Sequence, residues 1–382
     1  MTQLSKLATL GIGKEPTPGT YQVPSMGIPF MTANFEDKFT PIRDESWRGN
    51  DTVLQGQYQG PVHAEWDMEF MAYPDLVGHF LRGMIGPDTV TAATATTLSA
   101  STTIGATSIS TAATIATGST IRIDTAGLVE YAVTGVATGS GPYTIPITSP
   151  AAGLALAHAS GVAVTTQTVH TFKQSPSTAL PSYSLTVYDT TQTLGYAGLK
   201  WTDLMIKIDP KGAITFAPKG LSFPGAVQSS ASEAFSTYSP ALGWTWTTTQ
   251  NGVSSTRGLT LDMTVKRAGE AINSSDGLQG PREIFVGALE SDGTYKAIFE
   301  NQTDINLVLN YTQQSMTANI SQPLSGGGQS IAVTMNKSVY STGKRDLSTN
   351  YVQASFGISG IYNATDGGAV SVVLSNYQTA AY

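Results

Sequence analysis

Cysteine is absent from the 382-residue chain, which excludes a disulfide framework, a thiolate metal site and a cysteine nucleophile. Charge is scarce as well: Asp, Glu, Lys and Arg make up 12% of the residues, about half the usual share. Twenty basic residues face 27 acidic ones, a net charge of −7, and no Lys/Arg run exceeds two residues (Lys266-Arg267, Lys344-Arg345). Tight binding to a phosphate backbone does not fit that balance. No apolar stretch is long enough to span a membrane, and the N-terminal segment reaches Gly and charge before a signal-peptide core can form, so synthesis in the cytoplasm is expected. Disorder does not fit either, because 16 Tyr, 12 Phe and 5 Trp are far too many aromatics for a solvated chain. Thr, Ser, Ala and Gly take the place of charge, and that substitution points to a β-rich fold. The length suggests two or three domains.

Residues 1–50 carry Gly11, Gly13, Pro16, Pro18, Gly19, Pro24, Gly27, Pro29 and Pro41, a density of breakers that argues for an extended arm. Its aromatics, among them Tyr21, Phe30, Phe35 and Phe39, need something to bury them and are expected to pack along a body or onto a neighbouring subunit. From residue 62 the period becomes 2, with Ala64, Trp66, Met68 and Phe70 on one face and His63, Glu65, Asp67 and Glu69 on the other, as on a strand with one buried and one wet side. Leu76, Val77, Phe80, Leu81 and Met84 then follow Pro74 at helical spacing, and Gly86-Pro87 ends the run.

Residues 89–168 differ from their surroundings: Thr, Ala, Ser and Gly dominate, and Arg122, Asp124 and Glu130 are the only charges. The segment reads as an inserted β-domain. Beyond it the two halves of the chain show one order of parts. An alternating strand (62–72; 284–289) leads to a helix (74–84; 294–300). A Ser/Thr-rich strand (183–188; 331–335), a longer strand (200–209; 350–360) and a closing strand (212–217; 369–374) follow. This implies a duplicated unit, with residues 51–88 and 169–225 in the first, 226–382 in the second and the insert within the first.

The only dense ionisable cluster is His63, Glu65, Asp67 and Glu69. Carboxylates about 6.8 Å apart on one strand face could serve glycoside hydrolysis or hold a metal; a solvated strand face and an acidic comb that repels polyanions are the other readings. No catalytic motif, metal spacing or cofactor loop is present, so catalytic, metal and cofactor residues are expected to be none. Trp244 and Trp246, two apart, would share a strand face as a sugar platform or pack in a core.

In this setting Lys14-Glu15-Pro16-Thr17-Pro18-Gly19-Thr20-Tyr21, then Arg43-Asp44-Glu45-Ser46-Trp47-Arg48-Gly49-Asn50, then the strand-to-helix run from Gly60 to Gly86 with Pro74-Asp75-Leu76-Val77-Gly78-His79-Phe80-Leu81, resemble the tail tube proteins of long-tailed bacteriophages. The late strands fit the same pattern. The resemblance implies a mainly β fold, a sandwich with a flanking helix that forms a β-barrel with its neighbours. It implies a non-enzymatic virion tail protein whose rings stack into a tube through which DNA passes on its way into the host. Partners would be further copies of the chain, the tape measure protein and the tail terminator and tip proteins. Glu65, Asp67 and Glu69 would face the lumen, and Tyr21, Phe30, Phe35 and Phe39 would sit on an inter-ring arm. Duplication favours three chains per ring over six. An extracellular adhesin or glycan-binding protein, or a β-fold glycoside hydrolase using the same carboxylates, are the alternatives.

Overall fold

The computed structural model describes residues 4–125, 128–175, 179–229, 233–348 and 350–382; the first three residues of the expected arm and residues 126–127 of the expected insert lie outside them. The protein is mainly β. Its strands begin well before residue 51. β1 (Thr9–Lys14) and β2 (Met26–Gly27) form a hairpin, and β3 (Phe30–Phe39) follows. A projecting hairpin of β4 (Ile42–Asp44) and β5 (Gly56–Tyr58) comes next, then β6 (Val62–Met71) and α1 (Val77–Met84). β7 (Asp88–Thr91) leads into a separate sheet of β8 (Ala95–Thr97), β9 (Ser108–Thr111), β10 (Thr120–Thr125), β11 (Leu128–Thr134), β12 (Tyr143–Ser149) and β13 (Ala163–Thr166). The chain returns through β14 (Thr168–Lys173) to β15 (Tyr183–Tyr188), β16 (Thr193–Ile208), β17 (Thr215–Ser222) and β18 (Ala226–Gln228). The second repeat holds β19 (Trp246–Gln250), β20 (Val253–Ser255), β21 (Gly258–Ile272), β22 (Glu283–Ile298) and α2 (Thr303–Leu309). It closes with β23 (Gln314–Ser321), β24 (Ser330–Asp346), β25 (Gln353–Gly360) and β26 (Val370–Asn376).

Strand pairing follows the same order in the two halves of the chain. The front sheet runs β3-β6-β17-β16 in the first repeat and β21-β22-β25-β24 in the second. Behind these lie β2-β1-β15-β16-β18 and β20-β19-β23-β24-β26. In each repeat one long strand, β16 or β24, passes from the back sheet to the front. Irregularities recur at matching places: between Trp201 and Asp203 facing β17 and between Tyr340 and Thr342 facing β25, and likewise at Phe30/Thr32 and Gly258/Thr260. They equate Trp201 with Tyr340 and Glu65 with Asp292. An independent contact agrees, since the Ala72 N–H donates to the Ile214 carbonyl and the equivalent Phe299 N–H to the Val352 carbonyl. Even an ion pair is duplicated, Lys38 with Glu65 and Lys266 with Asp292.

Several expectations need correction. Residues 1–50 pack along the body, but as regular strands: β1 is buried against β15, and β3 is a ten-residue strand along β6. Pro and Gly there interrupt the elements without preventing them. Residues 294–300 are mostly the end of β22, and the helix lies at 303–309. The match of late strands is shifted by one, because β23 corresponds to β15 and β24 to β16. The cause is β24 itself, whose buried first half and exposed second half do not read as one strand.

The body shares a single core spanning both repeats, while the inserted sheet has its own core around Ile121, Ile123, Ile145 and Val164. Its two ends are joined by pairing of β7 with β14, and β14 also pairs with β26 of the second repeat. A stack of Tyr131 on Tyr377 (5.7 Å), continued by Tyr238 (6.1 Å), and Arg122 over the Tyr377 ring (5.2 Å) dock it on the body. Such aromatic and cation–π pairs contribute about 0.5–1.5 kcal/mol each.

α1 buries Leu76, Val77, Phe80, Leu81 and Met84 as its spacing implied. Phe80 packs between Phe70 (4.6 Å) and Trp201 (4.8 Å). Gly83 and Gly78 permit that approach, since a Cβ there would lie 2.5 Å from Trp201 and 2.3 Å from Tyr382. His79, edge-on to Tyr183 and Tyr382, keeps a strip of accessible surface, but its Nδ1 is buried without a hydrogen-bond partner. Burial, helped by the charges of Lys14 and Arg82 and opposed by Asp88, pulls its pKa from 6.5 to about 4. The unfolded chain therefore takes up a proton as pH falls through 6.5, and the folded chain does not until about 4. Stability is full above that window and falls across it, by up to about 3 kcal/mol. Urea unfolding at about pH 7 and about pH 4.5 should show this loss reduced in His79→Phe; an equal loss in both proteins would contradict the assignment.

Candidate channel wall and assembly edges

β16 pairs with β21 over Asp203–Ile208 and Leu261–Lys266, so the two front sheets form one antiparallel sheet of eight strands, β3-β6-β17-β16-β21-β22-β25-β24. One face packs on the helices and back sheets through Trp66, Met68, Phe70, Leu204, Met263 and Phe356. The other face is polar.

Glu65, Asp67 and Glu69 lie on that polar face, together as the alternation required, but they are not a bare acidic comb. Lys38 on β3 donates to Glu65, Lys219 on β17 to Asp67 (2.8 Å), and Lys207 on β16 to Glu69 (2.9 Å), which also accepts from Thr215 Oγ1 (3.1 Å). His63 Nε2 lies 3.5 Å from Glu65. The hydrogen bond from Lys38 holds Glu65 below the usual carboxylate range, and that from Lys207 does the same for Glu69, each against the opposing effect of burial. Glycosidase chemistry needs an acid whose pKa is raised, the reverse of what these two show. Among the described residues no group of three or more His, Asp or Glu could hold a metal.

The tryptophan pair does not form a platform. Trp244 sits exposed in the turn Gly243–Thr245, whereas Trp246 is buried beside Gly258. Nor do the four expected arm aromatics act together. Tyr21 hydrogen-bonds Thr186 (2.7 Å), Phe30 faces Phe70 across the ladder, and Phe35 stacks on Trp66 (5.1 Å). Phe39, 63% exposed, is the one that points largely to solvent.

What projects instead is the β4–β5 hairpin, a segment that sequence reading did not single out as a site. Asp44 organises it: Oδ1 accepts from the Ser46 N–H (3.1 Å) and hydroxyl (2.6 Å), and Arg48 pairs with Oδ2. The knot leaves Ile42, Trp47, Val53 and Tyr58 exposed, Trp47 completely. An Asp followed two residues later by Ser, beside a Trp that no alternating pattern calls inward, is the signal that could have found it.

Sheet edges are the second notable surface. Among the described residues β3 pairs with β6 alone, and the second half of β24 with β25 alone. The sheet thus has one uncovered polar face and two open edges, beside an exposed apolar hairpin. A family model described as phage tail tube protein matches residues 121–375, more than half of the chain. The chain belongs to the phage tail tube protein family, as a structural component of the bacteriophage tail. That match begins inside the inserted sheet and runs through the second repeat, so it rests on residues other than the early segments that carried the resemblance. No curated protein matches the chain.

The paired lysines give the polar face a measurable signature. In a Lys38→Gln, Lys207→Gln variant the Glu65 and Glu69 carboxyls should titrate higher than in the unaltered chain by carbon-detected NMR. Because both ionise more readily folded than unfolded, the stability they lend is present above the unfolded value and is lost as pH falls through the folded one. Exposed pairs contribute little, so the titration, rather than the unfolding midpoint, is the decisive readout. Unchanged carboxyl titration would contradict the pairing.

Proposed function

We propose that three chains close a ring whose inner wall is a continuous antiparallel β-barrel, and that rings stack into the tube through which the phage genome passes into the host. The observation that carries this reading is the eight-stranded front sheet: both repeats contribute four strands to one uninterrupted ladder, with an open edge at each end. Open edges invite pairing with other chains, and closing a ring removes them. Three such sheets give 24 strands. At about 4.8 Å between strands and about 40° tilt, the barrel would be about 48 Å across its backbone, leaving room for double-stranded DNA about 20 Å wide. Six chains placing both repeats at the lumen would double that bore.

On this reading the polar face, with Glu65, Asp67 and Glu69, lines the lumen. Its resistance to DNA comes less from net negative charge than from occupied lysines: a cation already held by a carboxylate gains little by neutralising a phosphate. The helices, back sheets and insert then lie outside the wall. The division into repeats follows the ladders, with residues 9–39 in the body of the first and the inserted domain a peripheral decoration. Stacking falls to the β4–β5 hairpin rather than to residues 1–39. The tape measure, terminator and tip proteins are the further partners this role calls for, and the chain would be made in the host cytoplasm before joining the virion tail.

Negative-stain electron microscopy tests the reading. The full chain should form rings and tubes, and a chain in which a short Gly/Ser turn replaces residues 42–58 should form rings that do not stack. A full chain that stays monomeric at every concentration would contradict the ring, and full-length tubes from the shortened chain would contradict the hairpin's role.

A further inference from the structure

We infer that the junction between chains copies the junction inside the chain: the free edge of β24 pairs antiparallel with β3 of a second chain, in the register that joins β16 to β21. This rests on the ring reading above and specifies its contact residue by residue. Within the chain Asp203 lies opposite Lys266, Met205 opposite Thr264, and Lys207 opposite Asp262. The recurrent bulges equate Asp203, Met205 and Lys207 with Thr342, Lys344 and Asp346, and Asp262, Thr264 and Lys266 with Asn34, Glu36 and Lys38. The junction between chains therefore sets Lys344 opposite Glu36, Thr342 opposite Lys38, and Asp346 opposite Asn34 of the second chain, all on the polar face. On the opposite face Arg345 meets Phe35.

Charge supports the register. Glu36 lies opposite Glu65 on its own sheet, a like-charge neighbour, and among the described residues neither Glu36 nor Lys344 forms a salt bridge within the chain. Across the proposed ladder each finds the opposite sign, the cross-strand arrangement that stabilises a sheet.

Burial supports it too. Positions covered at the internal junction have exposed apolar equivalents at the free edges. Ile208 is 1% exposed and its equivalent Leu347 is 75% exposed; Met263 is 1% exposed and its equivalent Phe35 is 37% exposed. At the internal junction Arg267 donates to the Met84 carbonyl at the end of α1 (2.7 Å). Its equivalent is Phe39, and the end of α2 presents exposed Leu309 and Tyr311. A polar cap inside the chain is thus replaced by an apolar contact between chains. Arg345 already stacks one face of its guanidinium on Phe299 (4.8 Å) and has its other face to offer Phe35.

The absence of native cysteine makes the register directly testable. In a Glu36→Cys, Lys344→Cys chain, oxidation of assembled rings should give covalent dimers and closed trimers on a denaturing gel. The out-of-register control, Glu36→Cys with Arg345→Cys, should give none, because its thiols point to opposite faces. As a second measurement, Lys344→Glu alone should raise the concentration for half-assembly about fivefold, and adding Glu36→Lys should restore it. Rings of normal yield in which the in-register pair fails to cross-link, or in which the double charge swap does not restore assembly, would overturn the register while leaving the ring intact. Failure of the unaltered chain to form any ring would overturn the ring reading and the junction with it.

Discussion

The backbone ladder between β16 and β21 is the contact on which everything else depends. It turns two repeats that could have been separate domains into one sheet, and it leaves that sheet with two edges of different chemistry. Each repeat then solves the same packing problem in the same way, with a long strand crossing from back sheet to front and a short helix laid over the crossing. Phe80 between Phe70 and Trp201 shows how tightly that helix is held in the first repeat. The stem of the insert strengthens the union, because β14 pairs with β26 although it follows the first repeat's helix in the chain. Tyr382, from the end of the second repeat, packs on Gly78 of α1 and ties the repeats from the other side.

Electrostatics on the polar face follows from the same ladder. A carboxylate on β6 has these lysines within reach only because β3 and β17 lie beside it in register and β16 lies one strand further on. The face is consequently a mosaic of engaged pairs, and the Lys266–Asp292 pair (3.2 Å) extends the pattern into the second repeat at the position equivalent to Lys38–Glu65. Mutual neutralisation gives a surface that is well hydrated and offers polyanions few free cations. On the proposed reading that property matters more for the lumen than a large net charge.

Much of this was legible in the sequence. The alternation of Ala64, Trp66, Met68 and Phe70 and the stripe from Leu76 to Met84 are local periodicities, and all nine side chains are buried where expected. The Thr/Ser/Ala/Gly-rich composition of residues 89–168 coincides with a separate sheet that has its own core. What escaped was non-local. The lysines that pair with Glu65, Glu69 and Asp67 stand 27, 138 and 152 residues away, beyond any window. β1 and β3 escaped because Gly11 and Gly13 inside the one, and Pro29 and Pro41 around the other, masked short runs that tertiary pairing completes. β24 escaped because one strand serving two sheets changes its burial midway, and so has no single period.

The central claim is that one chain supplies two wall units, and the subunit count of an assembled ring tests it most directly. Cryo-electron microscopy of purified tubes, read with native mass spectrometry of single rings, should give three chains per ring, three-fold symmetry and a 24-stranded inner barrel to which β3–β6–β17–β16 and β21–β22–β25–β24 both contribute. A ring of six chains in which only one repeat reaches the lumen would contradict the account.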